Sequence, residues 1–308
     1  WCYAGSRKCR IGVVIVEKSL QNENLSINVN SFGGALSSIK DKDGLEYLWQ
    51  GDKKYWSGQA PVLFPICGSL RNDKAVIGGN KETTMPRHGI VRKREFELEK
   101  ADDKKIVYSI ESNEELLAQY PYDFKLSIGY TLSGKSIIIT YKVENRSDEV
   151  MPFFLGAHPG FYCPLTEDTA YEDYYVEFDQ EENCTSATPL PENGLVDRKA
   201  RQPFLENSNK LALDYKYFVV EAIVLDQLKS RKVTLKTDKH NKGIQMDFTD
   251  FNNLLLWSTA NKSPFIALEP WSGLSTCLDE SDVFEEKANV TLLSPKSSKE
   301  YKLTISIL

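Results

Sequence analysis

Histidine and methionine are scarce in this sequence, three of each in 308 residues, and no two histidines stand at the spacing of a shared metal ion. The six cysteines (Cys2, Cys9, Cys67, Cys163, Cys184 and Cys277) include no Cys-x-x-Cys pair, which argues against a zinc site. Such sparse, unpatterned cysteine in a chain able to build a core points to reduced thiols and a cytoplasmic location. Basic charge is not in excess. Lys and Arg number 38 against 44 Asp and Glu, for a net charge of -6, so there is no field to hold a phosphate backbone and nucleic acid is not an expected partner. No apolar run approaches bilayer-spanning length, so no membrane partner is expected either. Repeats of roughly 20 to 50 residues, low-complexity linkers and composition breaks are also absent.

What is present is alternation. Leu25, Ile27 and Val29 alternate with Ser26, Asn28 and Asn30, and Phe124, Leu126, Ile128, Tyr130 and Leu132 alternate with Lys125, Ser127, Gly129 and Thr131. This two-residue period predicts half-buried strands. A strand over 137–143 follows a Ser-Gly-Lys turn and pairs most simply with its predecessor as a hairpin. Further strands are expected at 105–112, 174–178, 218–225, 232–237, 243–249, 265–269, 290–293 and 303–307. Only 114–120 and 279–287 read as helical. Strands joined by turns rather than long helical crossovers predict an all-β protein, a large antiparallel β-sandwich. The opening "WCYAGSRKCRIGVVIV" has basic residues before a short apolar run but no cleavage site. Residues 1–13 are expected to be an extension or non-native segment, and 14–308 a single domain.

Three segments place costly polar groups beside Gly, Pro or aromatic residues: "MPRHGIVRKR" at 85–94, "LGAHPGFYCP" at 155–164 and "PFIALEPWSG" at 264–273. In the last, Glu269 is expected to end an apolar strand, because Pro270 lacks the N–H that would extend the ladder. Each candidate also has a plain reading. Glu269 can be a solvated or lysine-paired strand end, His88 a surface or capping residue beside its arginines, and His158 a satisfied core histidine. His240, in a charged turn, receives no role. Together, two turn-borne histidines and an aromatic-flanked glutamate suggest acid/base chemistry on an uncharged polar ligand. Trp56, Trp257 and Trp271 can pack the C–H faces of a sugar.

At these residues the chain resembles the aldose 1-epimerase (galactose mutarotase-like) superfamily, and within it the LacX-like subgroup. The resemblance runs from about Asn22 through "INVNSFGGALSSIKDKDGLEYLWQGDKKYW", "APVLFPICGSLRND", "MPRHGIVR", "PFFLGAHPGF", "LDQLKSRKVTLK" and "FIALEPWSG", in the family's order. It implies an antiparallel β-supersandwich and interconversion of the α and β anomers of a free sugar without metal or cofactor. It further implies that His158 is the general acid toward the ring oxygen, Glu269 the general base toward the C1 hydroxyl, and His88 a second histidine that binds the sugar. Asp226 matches the family's hydroxyl-binding aspartate. The family's binding arginine falls at Asp73; Arg71, two residues earlier, would face the same side of a strand and substitute for it. Trp271 and Arg92 complete the expected binding set. Pro159, after His158, departs from galactose mutarotases proper and agrees with the LacX-like subgroup.

The expected partner is therefore a small-molecule sugar bound by a monomer or homodimer. Two alternatives stand beside the aldohexose reading. One is a hexose-6-phosphate mutarotase, with Arg71, Arg87, Arg92 or Arg94 holding the phosphate. The other is a non-catalytic carbohydrate-binding protein of the same fold. A glycoside hydrolase is disfavoured, since only one carboxylate stands in a motif.

Overall fold

A computed structural model describes residues 7–10 and 13–308. Of the expected extension, residues 1–6, 11 and 12 lie outside the described residues, while Arg7–Arg10 pairs antiparallel with 13–16. The alternation seen in the sequence becomes the strands. Leu25–Asn30 buries every second residue, and Ser136–Asn145 does the same. The latter pairs with Phe124–Ser133 from Phe124 opposite Asn145 to Ser133 opposite Ser136. Gly134 closes that hairpin at a left-handed φ of 55°, a conformation that glycine adopts without penalty.

Among the described residues a 15-stranded sheet dominates. From one edge it runs through Val62–Leu63, Gly156–Ala157, Phe265–Trp271, Asn253–Trp257 and Ile223–Leu225 to the long strand Tyr174–Leu190. It continues through Lys232–Thr237, Gly243–Asp247, Ser298–Ile307 and the hairpin to Lys105–Glu111 and Glu97–Ala101. A sheet of this size curls rather than staying flat, and it encloses one continuous core that joins Ile128, Val143, Leu235, Leu256 and Leu268. A four-stranded sheet that includes Leu25–Asn30 and Ala35–Asp41 lies against it. It is fastened by the Tyr108 and Tyr130 hydroxyls, which donate to the carbonyls of Val16 and Gly34. This is the antiparallel all-β architecture expected from the period.

Several local expectations change. The strand expected at 218–225 shrinks to Ile223–Leu225, preceded by a 3-10 turn at Tyr215–Phe218. The helix expected at 279–287 is one 3-10 turn, Phe284–Glu286. Leu195–Ala212, too polar to read as a strand, pairs along Tyr174–Leu190 in an irregular ribbon. The strand carrying Glu269 does not stop at Pro270 but runs through Trp271, with Pro270 opposite Leu254. The reason is directional. The Leu268 N–H points away from Asn253–Trp257 and donates to the Pro159 carbonyl, so two residues on, Pro270 faces the same interrupted edge, where no donor is needed.

Candidate active site

Phe265–Trp271 is buried along its whole length and meets a different partner on each side. On one side lies Asn253–Trp257; on the other lie two short strands, Gly156–Ala157 and Gly160–Tyr162, interrupted at His158–Pro159. At this break the His158 N–H donates to the Pro61 carbonyl at 3.1 Å and the Gly160 N–H to that of Gln59 at 2.8 Å. Both bonds tie the loop to the 59–61 segment. Gly160 is required here because a Cβ would lie 2.8 Å from the Trp56 ring.

The break lets His158 reach across to Glu269. Nε2 of His158 and Oε2 of Glu269 are 3.1 Å apart, with the residues only 8% and 2% exposed. The glutamate is therefore a buried mid-strand carboxylate, not the solvated strand end of the plain reading. Burial pushes the Glu269 carboxyl well above its ordinary value, against the opposing pull of Arg87. Burial likewise lowers His158 to about 3, with Arg87 and Arg92 adding to the effect. Both shifts favour neutral forms. Trp56 stacks on His158 at 4.9 Å and Trp257 meets its edge at 5.6 Å.

His88 arrives from a separate turn. Its φ of 68° and the Gly89 φ of 79° carry the chain through two left-handed residues, and a Cβ on Gly89 would sit 2.0 Å from the Phe64 carbonyl oxygen. The His88 N–H donates to the Gly68 carbonyl at 2.7 Å, and the Gly68 N–H donates to His88 Nδ1 at 3.2 Å. Burial, with the charges of His158, Arg87 and Arg92, lowers this imidazole well below its ordinary value. A neutral ring that accepts on Nδ1 carries its proton on Nε2. The 3.3 Å approach of Arg87 Nε to Nε2 is then a contact between two donors, not a hydrogen bond.

His88, His158, Glu269, Trp271 and Arg92 line one cavity of about 250 Å3, together with Trp56, Trp257, Arg87 and Glu221. Trp271 Nε1 is buried without a partner of hydrogen-bonding geometry. It is nevertheless near enough to Glu269 to favour its charged form. Arg92 has no carboxylate partner among the described residues, whereas Arg87 donates to Glu221 at 3.0 Å.

Two expected binding residues lie elsewhere. Arg71 is not on a strand: Arg71–Asp73 forms a 3-10 turn with Asn72 and Asp73 at φ 54° and 59°. Its guanidinium donates to Asp282 and to the Glu280 carbonyl, both at 3.0 Å, so the same-face argument does not apply. Asp226 lines a different cavity, of about 310 Å3, and pairs with Arg201 at 2.5 Å. Arg94 is likewise held by Glu115 through two bonds. The polar residue that the 218–225 segment does bring to the His158–Glu269 cavity is Glu221, beside Ala222. Its signal was present: a single carboxylate inside the apolar run "FVVEAIVL", the same costly placement that singled out Glu269.

The family model described as aldose 1-epimerase matches residues 18–285. Plasmid-encoded protein LacX of Lactococcus lactis subsp. lactis is 53% identical over 293 residues, covering 93% of this chain and 98% of that protein. Among solved structures, the galactose mutarotase related enzyme from Lactobacillus acidophilus superposes with a TM-score of 0.89 at 26% identity, covering 95% of this chain and 97% of its own. A galactose mutarotase-like protein from Lactobacillus casei ATCC 334 gives 0.87 at 28% identity, with coverages of 95% and 100%.

Proposed function

The chain belongs to the aldose 1-epimerase family, and on that footing we propose that it interconverts the α and β anomers of an aldohexose by proton transfer through His158 and Glu269. The observation that carries the reading is the buried 3.1 Å contact between these side chains on the wall of a tryptophan-lined cavity. The hydroxyl oxygen O1 and ring oxygen O5 of a cyclic aldose share one carbon, so an acid and a base serving both must stand close together.

In this reading Glu269 takes the C1 hydroxyl proton while His158 gives a proton to O5. The C1–O5 electron pair moves to O5, and C1 becomes an aldehyde. Rotation about C1–C2 presents the other aldehyde face, and the reverse transfers close the ring in the opposite configuration. The pair holds one proton throughout, first as imidazolium and carboxylate, then as imidazole and carboxylic acid. Burial favours the second arrangement in the resting site, so the proton first crosses the 3.1 Å contact from Glu269 to His158, and ring opening restores the neutral pair. Neutral His88 offers its Nε2–H to the ring oxygen. Trp271 Nε1 and the Arg87–Glu221 pair offer bonds to hydroxyls, and Trp56 and Trp257 pack the C–H faces.

The test follows freshly dissolved α-glucose and α-galactose by polarimetry or anomeric proton NMR. The expected result is decay to the equilibrium mixture faster than in buffer; no acceleration across a panel of free aldoses sinks the proposal. One observation favours a phosphorylated aldohexose as a second reading: Arg92 is the cavity cation without a carboxylate partner among the described residues. Adding sugar 6-phosphates to the panel, with Arg92→Ala beside the wild type, decides between the two.

A further inference from the structure

The cavity of about 310 Å3 that Asp226 lines shares no residue with the cavity of His158 and Glu269. Both draw on one face of the strand Asn253–Trp257. Trp257 and Leu255 line the acid/base cavity, and Asn253, two residues further along, lines this one. Asn253 is 1% exposed. Its Nδ2 donates to the Trp271 carbonyl at 3.2 Å, which fixes the carboxamide, because a flip would set two oxygens against each other. Oδ1 is thereby held buried, without a hydrogen-bond partner among the described residues. A buried acceptor left unpaired is costly, and this one belongs to a cavity wall.

The charges of the lining are already matched. The five N–H groups of Arg201 all go to protein acceptors: the Thr185 hydroxyl and carbonyl, the Arg198 carbonyl and both oxygens of Asp226. Arg198 donates through Nε and Nη2 to Asp279 at 3.3 and 3.0 Å, while its Nη1 has no acceptor among the described residues. Glu280 accepts from the Cys277 and Ala288 N–H groups at 2.9 and 3.0 Å and stands 3.9 Å from Lys287. An ionic ligand would therefore shed its water without finding an unmatched counter-charge. The Asn253 and Asp226 oxygens remain as acceptors, and Arg198 Nη1 and the Gln227 amide group as donors. Phe154, 2% exposed, and Leu274 supply apolar faces.

We infer that this cavity is a second binding site, separate from the acid/base pair, for a small neutral polyhydroxylated molecule. A hydroxyl both donates and accepts. Hydroxyls of one molecule can thus pair with the Asn253 oxygen and with Arg198 Nη1, while its C–H face packs on Phe154 and Leu274. An apolar ligand leaves Oδ1 unpaired, and an ion meets no unmatched charge. The volume stands at the lower end of the roughly 300–1,000 Å3 typical of small-molecule sites, which suits one ring or a short open chain. The inference does not rest on the mutarotase reading, since no residue of that cavity lines this one.

The test measures binding of sorbitol, methyl α-glucoside and gluconate by titration calorimetry and ligand-observed NMR, in wild type, Ala288→Trp and Gln227→Leu. None of these probes has a free anomeric hydroxyl, so binding is read without turnover. Ala288 and Gln227 are exposed at the rim, and both variants should melt with the wild type. Sorbitol, the glucoside or both should bind, the pattern telling an open chain from a ring, and gluconate should bind at least about tenfold more weakly. Ala288→Trp, which fills the mouth, should weaken the neutral probes by at least about tenfold. Gln227→Leu should weaken them by about threefold to tenfold, as loss of one hydrogen bond requires. Binding unchanged in Ala288→Trp places the polyol in another cavity and overturns the inference. Gluconate binding as tightly as sorbitol overturns it too, as does a failure of both neutral probes to bind, which leaves water as the partner of Asn253.

Discussion

Replacing Glu269 by Gln separates what a buried carboxylate does for catalysis from what it does to stability. The side chain is 2% exposed and touches His158 at 3.1 Å; Gln keeps its size and removes its titration. In the unfolded chain a glutamate titrates near about 4.3. In the folded protein burial raises it well above the ordinary value. Above about pH 4.3 the folded state therefore holds a proton that the unfolded state has lost, and stability falls as pH rises, until the folded pKa is passed. The slope for one group is at most about 1.4 kcal/mol per pH unit, so from pH 5 to pH 7 the wild type should lose stability relative to Glu269→Gln, by no more than about 2.7 kcal/mol. His158 works in the opposite sense. Lowered to about 3, it contributes stability that is present above about 6.5 and lost as pH falls toward 3, but it does so in both proteins and cancels from the comparison. Urea unfolding of the two proteins at pH 5, 6 and 7 measures the difference. In the same variant kcat for anomerisation should drop by about 10² to 10⁴, the usual contribution of a positioned acid or base. A stability difference that does not change with pH would show that the carboxyl ionises like a surface one. A kcat within about tenfold of wild type would show that the proton travels another way.

The other predictions concern placement and packing. Arg71→Ala and Asp226→Asn should leave kcat and KM for a monosaccharide within about twofold, and the partly exposed Arg71–Asp282 pair should account for no more than about 1 kcal/mol in chemical denaturation. Arg92→Ala, by contrast, should raise KM with a smaller effect on kcat, as loss of a binding contact requires; an unchanged KM removes Arg92 from the binding set. Gly89→Ala should cost roughly 3 kcal/mol or more, because it combines a left-handed backbone with a Cβ driven into the Phe64 carbonyl. A near-normal urea midpoint would contradict the positioning of His88 by this turn. Leu268→Ala, next to Glu269 on a strand buried throughout, should cost about 2–5 kcal/mol by the same assay.

The sequence by itself determined the strand character of most of the chain, because burial on one face of a sheet writes a two-residue period into the residues themselves. Leu25–Asn30 and the hairpin of Phe124–Ser133 with Ser136–Asn145 were legible for that reason. So were His88, His158 and Glu269 as candidates, since a polar group beside Gly, Pro or aromatic residues is conspicuous in any window. What stayed hidden depends on contacts between distant segments. Whether Glu269 is buried is decided by strands more than a hundred residues earlier, which flank it at 156–162. Whether Pro270 ends its strand depends on which neighbour lacks a donor requirement. Arg71 leaves the site because two left-handed residues turn the chain beside it. Glu221 enters while Asp226, five residues on, lies beyond the buried strand Ile223–Leu225 and lines another cavity. Local periodicity says which face of a strand is apolar; only the assembled sheet, with its breaks and register slips, says which cavity a polar side chain meets.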